Sequence, residues 1–457
     1  MSRFQKKNFV HILFGIVFIL FISNVSTAQT QDNIYTLDKS IAEALANSWT
    51  IKAKKEKIEQ AKYSKKQAGA DFYPTLSTTY GYTRLSEVKK SQPQDYTITF
   101  PAPFGSGSIS IPGQDLNSQD NYQWKVSVKQ SLFTGFALTS SYELAKLGID
   151  QSQIDLDLTE LDLALEVKAG YFNILKTDRA VEVSGKAVES LSSHLEVAQS
   201  FYKVGMSAVN DVLKAEVELA NAQHDLIKAQ NGAKIARAAF NNLLARPIDA
   251  PLAVEDILSY HQIESDFSSN LKKAMDQRPE IKTLDINLRQ VEKQIKIAKS
   301  KYYPEVYASY DYIKEGDHPN VTGSAFHDGN SWQAMVGLSW ILWDWGKTSN
   351  SVLEKESLKK ELSVTRSKAV DGLNLNIKQA MLDLEAADKN MVPTQKAVEQ
   401  AEENLRVSQE RYKAQVTTST EVLDAQTLLN QARMNYYNAL YDHILAKAKL
   451  QRAIGER

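Results

Sequence analysis

The sequence has no cysteine, so it forms no disulfides and offers no thiol for a lipid anchor. An excess of charge of one sign is also missing, because the formal net charge is −1 although 24% of the residues are charged. A chain without a basic excess is poorly suited to bind nucleic-acid phosphates, which excludes nucleic acid as a partner. With 43% hydrophobic residues in 457, the chain can nevertheless fold around cores.

Long hydrophobic runs are absent except near the N-terminus, where three basic residues precede an apolar run over 9–22. This run of about 14 residues falls short of the ~20 that a membrane-spanning helix needs, which makes a membrane anchor the weaker alternative. Small residues follow and end at Ala28, as a signal peptidase requires. We therefore expect a signal peptide over 1–28, cleaved after Ala28, and an exported mature chain.

The mature sequence contains an internal tandem repeat of one unit. Residues 51–74 align with 281–304 at a shift of 230, and residues 202–223 align with 412–433 at a shift of 210. The shifts differ by 20 because the first copy carries an insertion rich in proline, glycine and serine around 101–113. We predict that this insertion is a loop and not a domain.

The repeat divides the mature chain into a first repeat over 29–246, a linker over 247–267, and a second repeat over 268–457. Each repeat reads as a helix, two strands, a very long helix, a short break and another helix. The predicted fold class is therefore α+β and mostly α.

Four segments alternate between apolar and polar residues with the period of two that a β-strand requires. In the second repeat, Val306, Ala308 and Tyr310 share one face, and Ser309 and Asp311 share the other. A water-soluble sheet covered by helices explains any single strand as well. However, the helices direct their apolar stripes at each other, and tyrosine and tryptophan cluster toward the strand ends as interface anchors do. The pattern favours strands of an outer-membrane barrel that contact lipid.

Four strands cannot close a barrel, because single-chain bacterial barrels begin at eight strands and open edges are not tolerated in hydrocarbon. Two copies of the chain would supply eight strands around a filled interior, whereas three would supply twelve strands around a wider lumen. We therefore predict a pore-forming homotrimer with twelve strands.

Two stretches predict helices of unusual length, over 138–202 and 348–412, each on the order of 100 Å at 1.5 Å per residue. Ser140 and Glu143 have the spacing of a capping box for the first helix. Pro393 predicts a kink or local break in the second. A returning helix follows each, and all four carry apolar or small residues at alternating steps of three and four, which is typical of heptad seams.

Several motifs, spread over nearly the whole mature chain, resemble the TolC-like outer-membrane efflux protein family. They are the two helix turns around 202 and 412, TLDKSIAEALANSWTIKAKK (36–55), LLARP (243–247), RPEIK (278–282), and the FYP and YYP junctions that end at Pro74 and Pro304. The resemblance implies a homotrimer whose twelve-stranded membrane β-barrel is continued by a long α-helical tunnel across the periplasm. It also implies that the proline of each junction marks the passage from tunnel helix to barrel strand.

The function implied by the resemblance is the exit duct of a tripartite efflux or type I secretion system, through which cargo passes passively to the exterior. The implied partners are outer-membrane lipid, a periplasmic adaptor (membrane fusion) protein, and an inner-membrane pump of the RND or ABC type. The duct itself would have porin activity and would need no cofactor.

The resemblance also places a periplasmic gate at the two helix turns. The family's second turn commonly carries a tyrosine, an arginine and two acids, and its first turn carries an acid that bonds to them. The corresponding positions here are Asp211, Tyr412, Thr417, Glu421 and Asp424. Thr417 departs from the family's arginine. Threefold symmetry would arrange Glu421 and Asp424 as carboxylate rings that attract cations; alternatively, both acids only favour the N-terminus of the returning helix through its dipole.

Adaptor contact in the family uses the turns between the helices. The corresponding residues here are Lys203, Val204, Gly205, Met206, Lys413, Ala414, Gln415 and Val416. Gln415 replaces the glycine of the second turn.

Enzymatic functions find little support. DWGKTS (344–349) follows a strand and opens a helix as a phosphate-binding loop does, but Ile341 stands where that motif needs glycine. His318 and His327 share one loop and could share a metal, although a solvated loop explains them more simply. We predict no catalytic residues and no metal site. The remaining alternative is a periplasmic coiled-coil adaptor or scaffold without a pore, which explains the helices but not the strands.

Overall fold

The computed structural model describes residues 34–257, 259–260, 266–326 and 328–457. The expected signal peptide over 1–28, its cleavage site after Ala28, and His327 lie outside these residues. The chain divides into two compact units. The first contains the described residues of 1–44, 167–260 and 391–441, and the second contains those of 45–166, 261–390 and 442–457.

Both repeats have two helices, two long strands, a very long helix and a returning helix in the same order, and the first has three additional short strands. The first consists of β1 (Ile34–Tyr35), α1 (Leu37–Asn47), α2 (Trp49–Ala70), β2 (Thr75–Arg84), β3 (Gln94–Thr99), β4 (Ser106–Ile111), β5 (Asp120–Thr134), α3 (Ala137–Lys203) and α4 (Val209–Leu243). The short strand β6 (Ala253–Val254) precedes the second, which consists of α5 (Phe267–Gln277), α6 (Pro279–Lys299), a 3-10 turn (Ser300–Tyr302), β7 (Glu305–Gly316), β8 (Ser331–Ser339), α7 (Lys347–Lys413) and α8 (Ser419–Ile454). The predicted class, α+β and mostly α, is confirmed.

The long helices α3 and α7 each contain 67 residues, and their ends differ from the predicted ones by a single residue. The predicted capping box is wrong, because α3 begins before it. The Thr134 hydroxyl accepts a backbone N–H of the first turn at 3.3 Å. Ser140 lies inside the helix, and the Glu143 carboxylate accepts a hydrogen bond from Lys293 instead.

Helix α7 continues through Pro393, where a kink or local break was expected, and no break occurs. Proline removes one backbone donor from the helix. The preceding turn is buried at Met391, and the Thr394 hydroxyl donates to the Met391 carbonyl at 3.0 Å. Packing on one side of the helix therefore offsets the loss of one hydrogen bond. Within the described residues, no helix combines the length and the apolar character needed to cross a membrane.

Four strands form one antiparallel sheet in the order β2-β5-β7-β8, with β2 and β8 at its edges. Directly paired residues share a face, and the register places Val126 between Thr78 and Tyr312. The residues that lie on the same face as Val126 are Leu76, Tyr80, Trp124, Val128, Val306, Ala308, Tyr310, Trp332, Val336 and Leu338. This agrees with the predicted alternation except near Leu132, where a bulge moves Phe133 onto the face beside Val306.

The opposite face of the sheet is polar, and a buried carboxylate joins three of its strands. Asp311 on β7 accepts hydrogen bonds from the Ser127 hydroxyl at 2.5 Å and from the Gln333 amide at 2.8 Å. The Lys125 ammonium lies 3.0 Å from the same carboxylate. Charge-assisted bonds of this kind fix the register of the three strands more firmly than neutral ones.

The insertion of the first repeat is not an unstructured loop. Strand β4 lies within 101–113 and pairs antiparallel with β3, so that Tyr96 faces Ile109 and Gln94 faces Ile111. Serine and threonine occupy most positions on the other face of this hairpin. The prediction of a loop missed these strands because proline, glycine and serine are typical of loops, although Ile109 and Ile111 alternate with serine.

The linker between the repeats carries β6, which pairs in parallel with β1. The Tyr171 hydroxyl of α3 lies 2.8 Å from the carbonyl oxygens of both Tyr35 and Glu255, to which it can donate. Its ring packs edge-on against Phe240 of α4. Burial raises the pKa of Tyr171 to about 12. This tyrosine therefore ties the small parallel sheet to the α3–α4 pair.

The predicted heptad seams are buried in the first unit. The seam between α7 and α8 consists of Ala401, Leu405, Tyr412, Val422, Ala425, Leu429 and Ala432. A second cluster joins Leu191 of α3, Ala222 of α4 and Leu423 of α8. The two helix pairs therefore pack against each other through α3 and α8.

Candidate functional site

The first helix turn, between α3 and α4, has a defined hydrogen-bonding pattern. Gly205 adopts a left-handed conformation with φ of +79°. The Met206 N–H donates to the Phe201 carbonyl at 2.8 Å, and the Gly205 N–H donates to the Tyr202 carbonyl at 3.0 Å. These two bonds are those of a Schellman motif, in which glycine is favoured because it has no Cβ to clash.

The second turn, between α7 and α8, has the same geometry with a different residue. The Val416 N–H donates to the Arg411 carbonyl at 3.0 Å, and the Gln415 N–H donates to the Tyr412 carbonyl at 3.0 Å. Gln415 holds a φ of +61°, a conformation that costs a residue with a Cβ roughly 1–2 kcal/mol. The repeat alignment therefore equates a glycine with a glutamine in one backbone shape, and the second turn is the more strained of the two.

Both turns present side chains to solvent. Every residue predicted to contact an adaptor is exposed, namely Lys203, Val204, Gly205, Met206, Lys413, Ala414, Gln415 and Val416. Three of them are large and apolar, and more than half of the surface of each is exposed, 67% for Val204, 56% for Met206 and 63% for Val416. Apolar side chains at an otherwise charged helix end form a surface suited to another protein.

Tyr412 lies at the end of α7 and is buried in the α7–α8 seam. Its hydroxyl has no hydrogen-bond partner among the described residues. Ser207 and Ser419 lie near this hydroxyl, but neither meets hydrogen-bond geometry. Burial raises the pKa of the phenol, and the charge of Asp211 acts in the same direction. The tyrosine is therefore held by packing, and within the described residues its hydroxyl makes no bond to an acid.

The acids of the second turn have different surroundings. The Glu421 carboxylate accepts hydrogen bonds from the Thr417 hydroxyl and, at 3.0 Å, from the Arg411 guanidinium. Thr417 thus remains in contact with the acid although it lacks the family's positive charge, and Arg411 supplies that charge from the other side of the turn. Asp424 lies one helical turn further along α8 and is exposed. Sequence reasoning missed Arg411, whose bond spans ten residues across the turn.

The acid of the first turn is held within its own hairpin. The Asp211 carboxylate, half-buried at the start of α4, accepts a hydrogen bond from the Ser207 hydroxyl at 3.0 Å. Its charge adds to the effect of burial in raising the pKa of Tyr412. No hydrogen bond joins the two groups, since the Tyr412 hydroxyl has no partner among the described residues.

Sequence reasoning also missed His194, the buried histidine of α3. Its ring Nε2 lies 2.7 Å from the hydroxyl of Ser419, the first residue of α8. The ring packs against that of Tyr412 with centroids 4.9 Å apart. A signal was present in the sequence, because His194 follows the seam residue Leu191 by the step of three that places it on the packed face.

The apparent phosphate motif has a structural role. The Asp344 carboxylate accepts bonds from the backbone N–H of Thr348 at 2.8 Å and from its hydroxyl at 2.5 Å, and it thereby caps α7. His318 is exposed in the loop after β7. In the part of the chain that the structure describes, no three histidine, aspartate or glutamate residues are placed to share a metal.

The family model described as outer membrane efflux protein matches residues 40–246 and 270–456, within both repeats. The chain is 24% identical over 415 residues to outer membrane protein TolC of Vibrio cholerae, covering 83% of this chain and 92% of that protein. It is 20% identical over 422 residues to the pyoverdine export outer membrane protein OpmQ of Pseudomonas aeruginosa, covering 92% and 85% of the two chains.

The fold is similar to the crystal structure of the outer membrane protein VceC of Vibrio cholerae. The TM-score is 0.72 at 15% sequence identity, and the superposition covers 92% of this chain and 96% of that one. At such low identity, the likeness concerns the fold.

Proposed function

Because this chain belongs to the outer membrane efflux protein family, whose members are transport channels of the outer membrane, we propose that it is an exit duct. Three copies form a passive passage that carries cargo from an inner-membrane pump across the periplasm to the exterior. The duct serves a tripartite efflux or type I secretion system, with a periplasmic adaptor protein and a pump of the RND or ABC type as partners. The gate lies at the helix turns.

The observation that carries this proposal is the four-stranded sheet with two open edges. Among the described strands, β2 and β8 each have a partner on one side only. One face is apolar along all four strands, and that face suits lipid, which in turn does not tolerate unpaired strand edges. The strands alternate in direction, so β8 of one copy is antiparallel to β2 of the next. Three copies close twelve strands into a barrel.

The exposed side of helix α4 is a second feature that supports assembly of several copies. Its core face packs inside the chain through residues such as Ala215, Ala222 and Phe240. At 100° per residue, a second apolar stripe lies on the opposite side of the helix. It consists of Val209, Leu213, Val217, Ile227 and Ile235, each at least half exposed. A helix that is apolar on two opposite faces is stable when it packs between two neighbours, and a helix of the next copy fits the outer stripe.

The favoured function explains the strands, which the alternative of a periplasmic coiled-coil adaptor or scaffold does not. An adaptor has no need of a sheet with an apolar face and open edges. The repeats over 29–246 and 268–457 supply two strands and two tunnel helices each. We assign the linker over 247–267, which carries the described strand β6, to the equatorial region of the tunnel.

The gate consists of the residues that line and brace the two turns. We assign to it Asp211, Tyr412, Thr417, Glu421 and Asp424. Burial of Tyr412 and the bonding of Glu421 support a closed, packed arrangement. Asp424 is the exposed acid, so in a trimer its three carboxylates are the ones free to attract cations. The exposed turn residues, including Val204, serve as the adaptor contact.

Fractionation and electrophoresis test the proposal. The protein should be found in the outer-membrane fraction and should run as an oligomer in unboiled samples and as a monomer after boiling. Purified oligomer should give discrete conductance steps in a planar bilayer. A soluble periplasmic monomer without conductance would instead support the adaptor. Cross-linking in cells, followed by identification of the captured inner-membrane protein, tests the pump assignment.

A further inference from the structure

We propose that His194 is a positioning residue of the gate, which in its neutral form ties the first helix pair to the start of α8 and which releases that tie in acid. This inference rests on the proposed function, because it names a control element of the same gate. No gate residue expected from the family resemblance corresponds to His194.

The geometry places this side chain against both ends of the second turn, whereas another side-chain bond between α3 and α8, from Ser190 to Gln426, lies further along the two helices. His194 contacts both ends of the second turn, since its Nε2 lies 2.7 Å from the Ser419 hydroxyl and its ring packs against that of Tyr412 with 51° between the ring planes. Ser419 is fully buried, and His194 is 6% exposed. The nearby bond from the Lys214 ammonium to Thr420, at 3.1 Å, also joins the two helix pairs, but it is exposed to solvent. Water competes for that bond and not for the buried one.

The charged groups around His194 are few. Asp211 of α4 is the one whose charge acts on the ring, and its carboxylate already accepts a bond from Ser207. On the solvent side, the cleft beside the ring is lined by Lys186 and Glu189 of α3 and by Lys413 of α7. Among the described residues, no carboxylate is bonded to the imidazole.

Burial lowers the pKa of His194 from its ordinary value of 6.5, and the charge of Asp211 opposes this shift only in part. The neutral ring is therefore the form that the packed turn favours. A group of this kind contributes its full stabilisation above its ordinary pKa and loses it as pH falls through the lowered one. The packed turn accordingly weakens below about pH 6.5.

The chemistry of the bond explains the release. A neutral imidazole can accept the Ser419 proton or donate to its oxygen, depending on the tautomer, whereas an imidazolium can only donate. A buried imidazolium without a bonded carboxylate also carries a desolvation cost. Protonation thus weakens the hold of His194 on the second turn and favours an arrangement in which that turn lies further from α3 and the ring is solvated. If the pKa of His194 differs by one unit between the closed and the open gate, the ratio of open to closed channels changes by up to about tenfold.

Bilayer recordings of the complete oligomer between about pH 7.5 and pH 5.5 test this inference, because the range brackets the ordinary titration of histidine. In wild type, the ratio of open to closed channels should rise severalfold as pH falls. His194→Gln keeps an amide able to bond Ser419 and cannot titrate, so its channels should stay closed at neutral pH with a flattened pH profile. His194→Phe keeps the ring but loses the bond, and it should open more at every pH.

Two further variants make the outcome decisive. His318→Gln alters an exposed histidine in the loop after β7 and should keep the wild-type pH profile. Ser419→Ala removes the partner instead of the histidine, and it should reproduce the opening at neutral pH that His194→Phe produces. With Ser419→Ala, the inference can be tested even if one histidine variant fails to assemble.

The inference is overturned if His194→Gln keeps the wild-type pH profile, or if Ser419→Ala stays as closed as wild type at neutral pH. Neither result would affect the proposed duct, because the channel would still conduct. A wild-type protein that forms no conducting oligomer would instead refute the proposed function itself.

Discussion

Replacing Val126 by lysine tests whether one face of the sheet contacts lipid. Val126 lies near the middle of β5, between Thr78 of β2 and Tyr312 of β7, on the apolar face. A lysine at the lipid-facing midplane of a barrel costs about 2–4 kcal/mol. Three copies per barrel multiply this cost threefold, so Val126→Lys should strongly reduce the oligomer inserted in the outer membrane.

The neighbouring Ser127 offers a matched control on the opposite face. Its hydroxyl donates to the Asp311 carboxylate at 2.5 Å, so a lysine here meets a negative charge. Aspartate is a poor choice for this pair of variants, because Ser127→Asp would set a second carboxylate against Asp311. Ser127→Lys should therefore insert nearly as well as wild type.

The assay is the yield of heat-modifiable oligomer in the outer-membrane fraction relative to total protein. The lipid-face assignment predicts a large loss for Val126→Lys and a small one for Ser127→Lys. Equal yields of the two variants would show that both faces meet the same environment, and the barrel would then be abandoned.

Three further predictions concern single side chains. Gln415→Gly should stabilise the second turn by about 1 kcal/mol, because glycine adopts the positive φ without strain. The oligomer should then dissociate at a higher temperature in unboiled gels. Dissociation at a lower temperature would show that Gln415 is not strained. Asp424→Ala should reduce both the cation selectivity and the block by multivalent cations more than Glu421→Ala does, because Glu421 is paired with Arg411. Unchanged selectivity in a variant that carries both substitutions would mean that the two acids only cap the helix. Tyr171→Phe removes the hydroxyl that can donate to the Tyr35 or Glu255 carbonyl, although the Tyr35 carbonyl keeps the Glu255 N–H as a donor. It should cost about 0.5–1.5 kcal/mol and should be seen as faster amide hydrogen exchange in β1 and β6. Unchanged exchange there would show that the hydroxyl does not hold the sheet.

The regular parts of the fold were predictable because their signals are local. Alternation with a period of two placed Val306 and Tyr310 on one face of β7, and the register agrees. The absence of proline over 138–202 gave α3 to within one residue at each end. The β3–β4 hairpin was missed because the proline, glycine and serine around it are typical of loops, although Tyr96 and Ile98 alternate with polar residues. The bulge at Phe133 was missed because no local pattern marks it.

The candidate site was less predictable because its contacts are long-range. His194 and Ser419 are 225 residues apart, and only folding brings them within hydrogen-bond distance. The hydroxyl of Tyr412 was expected to bond to an acid, yet it is buried without a partner among the described residues. The sequence shows which side chain stands at each of these positions, but it does not show which side chains surround it after folding.

The central claim is that three copies close one barrel, and a structure of the detergent-extracted oligomer by electron cryo-microscopy tests it most directly. The account predicts three copies, with β8 of each hydrogen-bonded antiparallel to β2 of the next in a closed sheet of twelve strands. An oligomer of another copy number, or β2 and β8 edges left unpaired within the membrane, would contradict it.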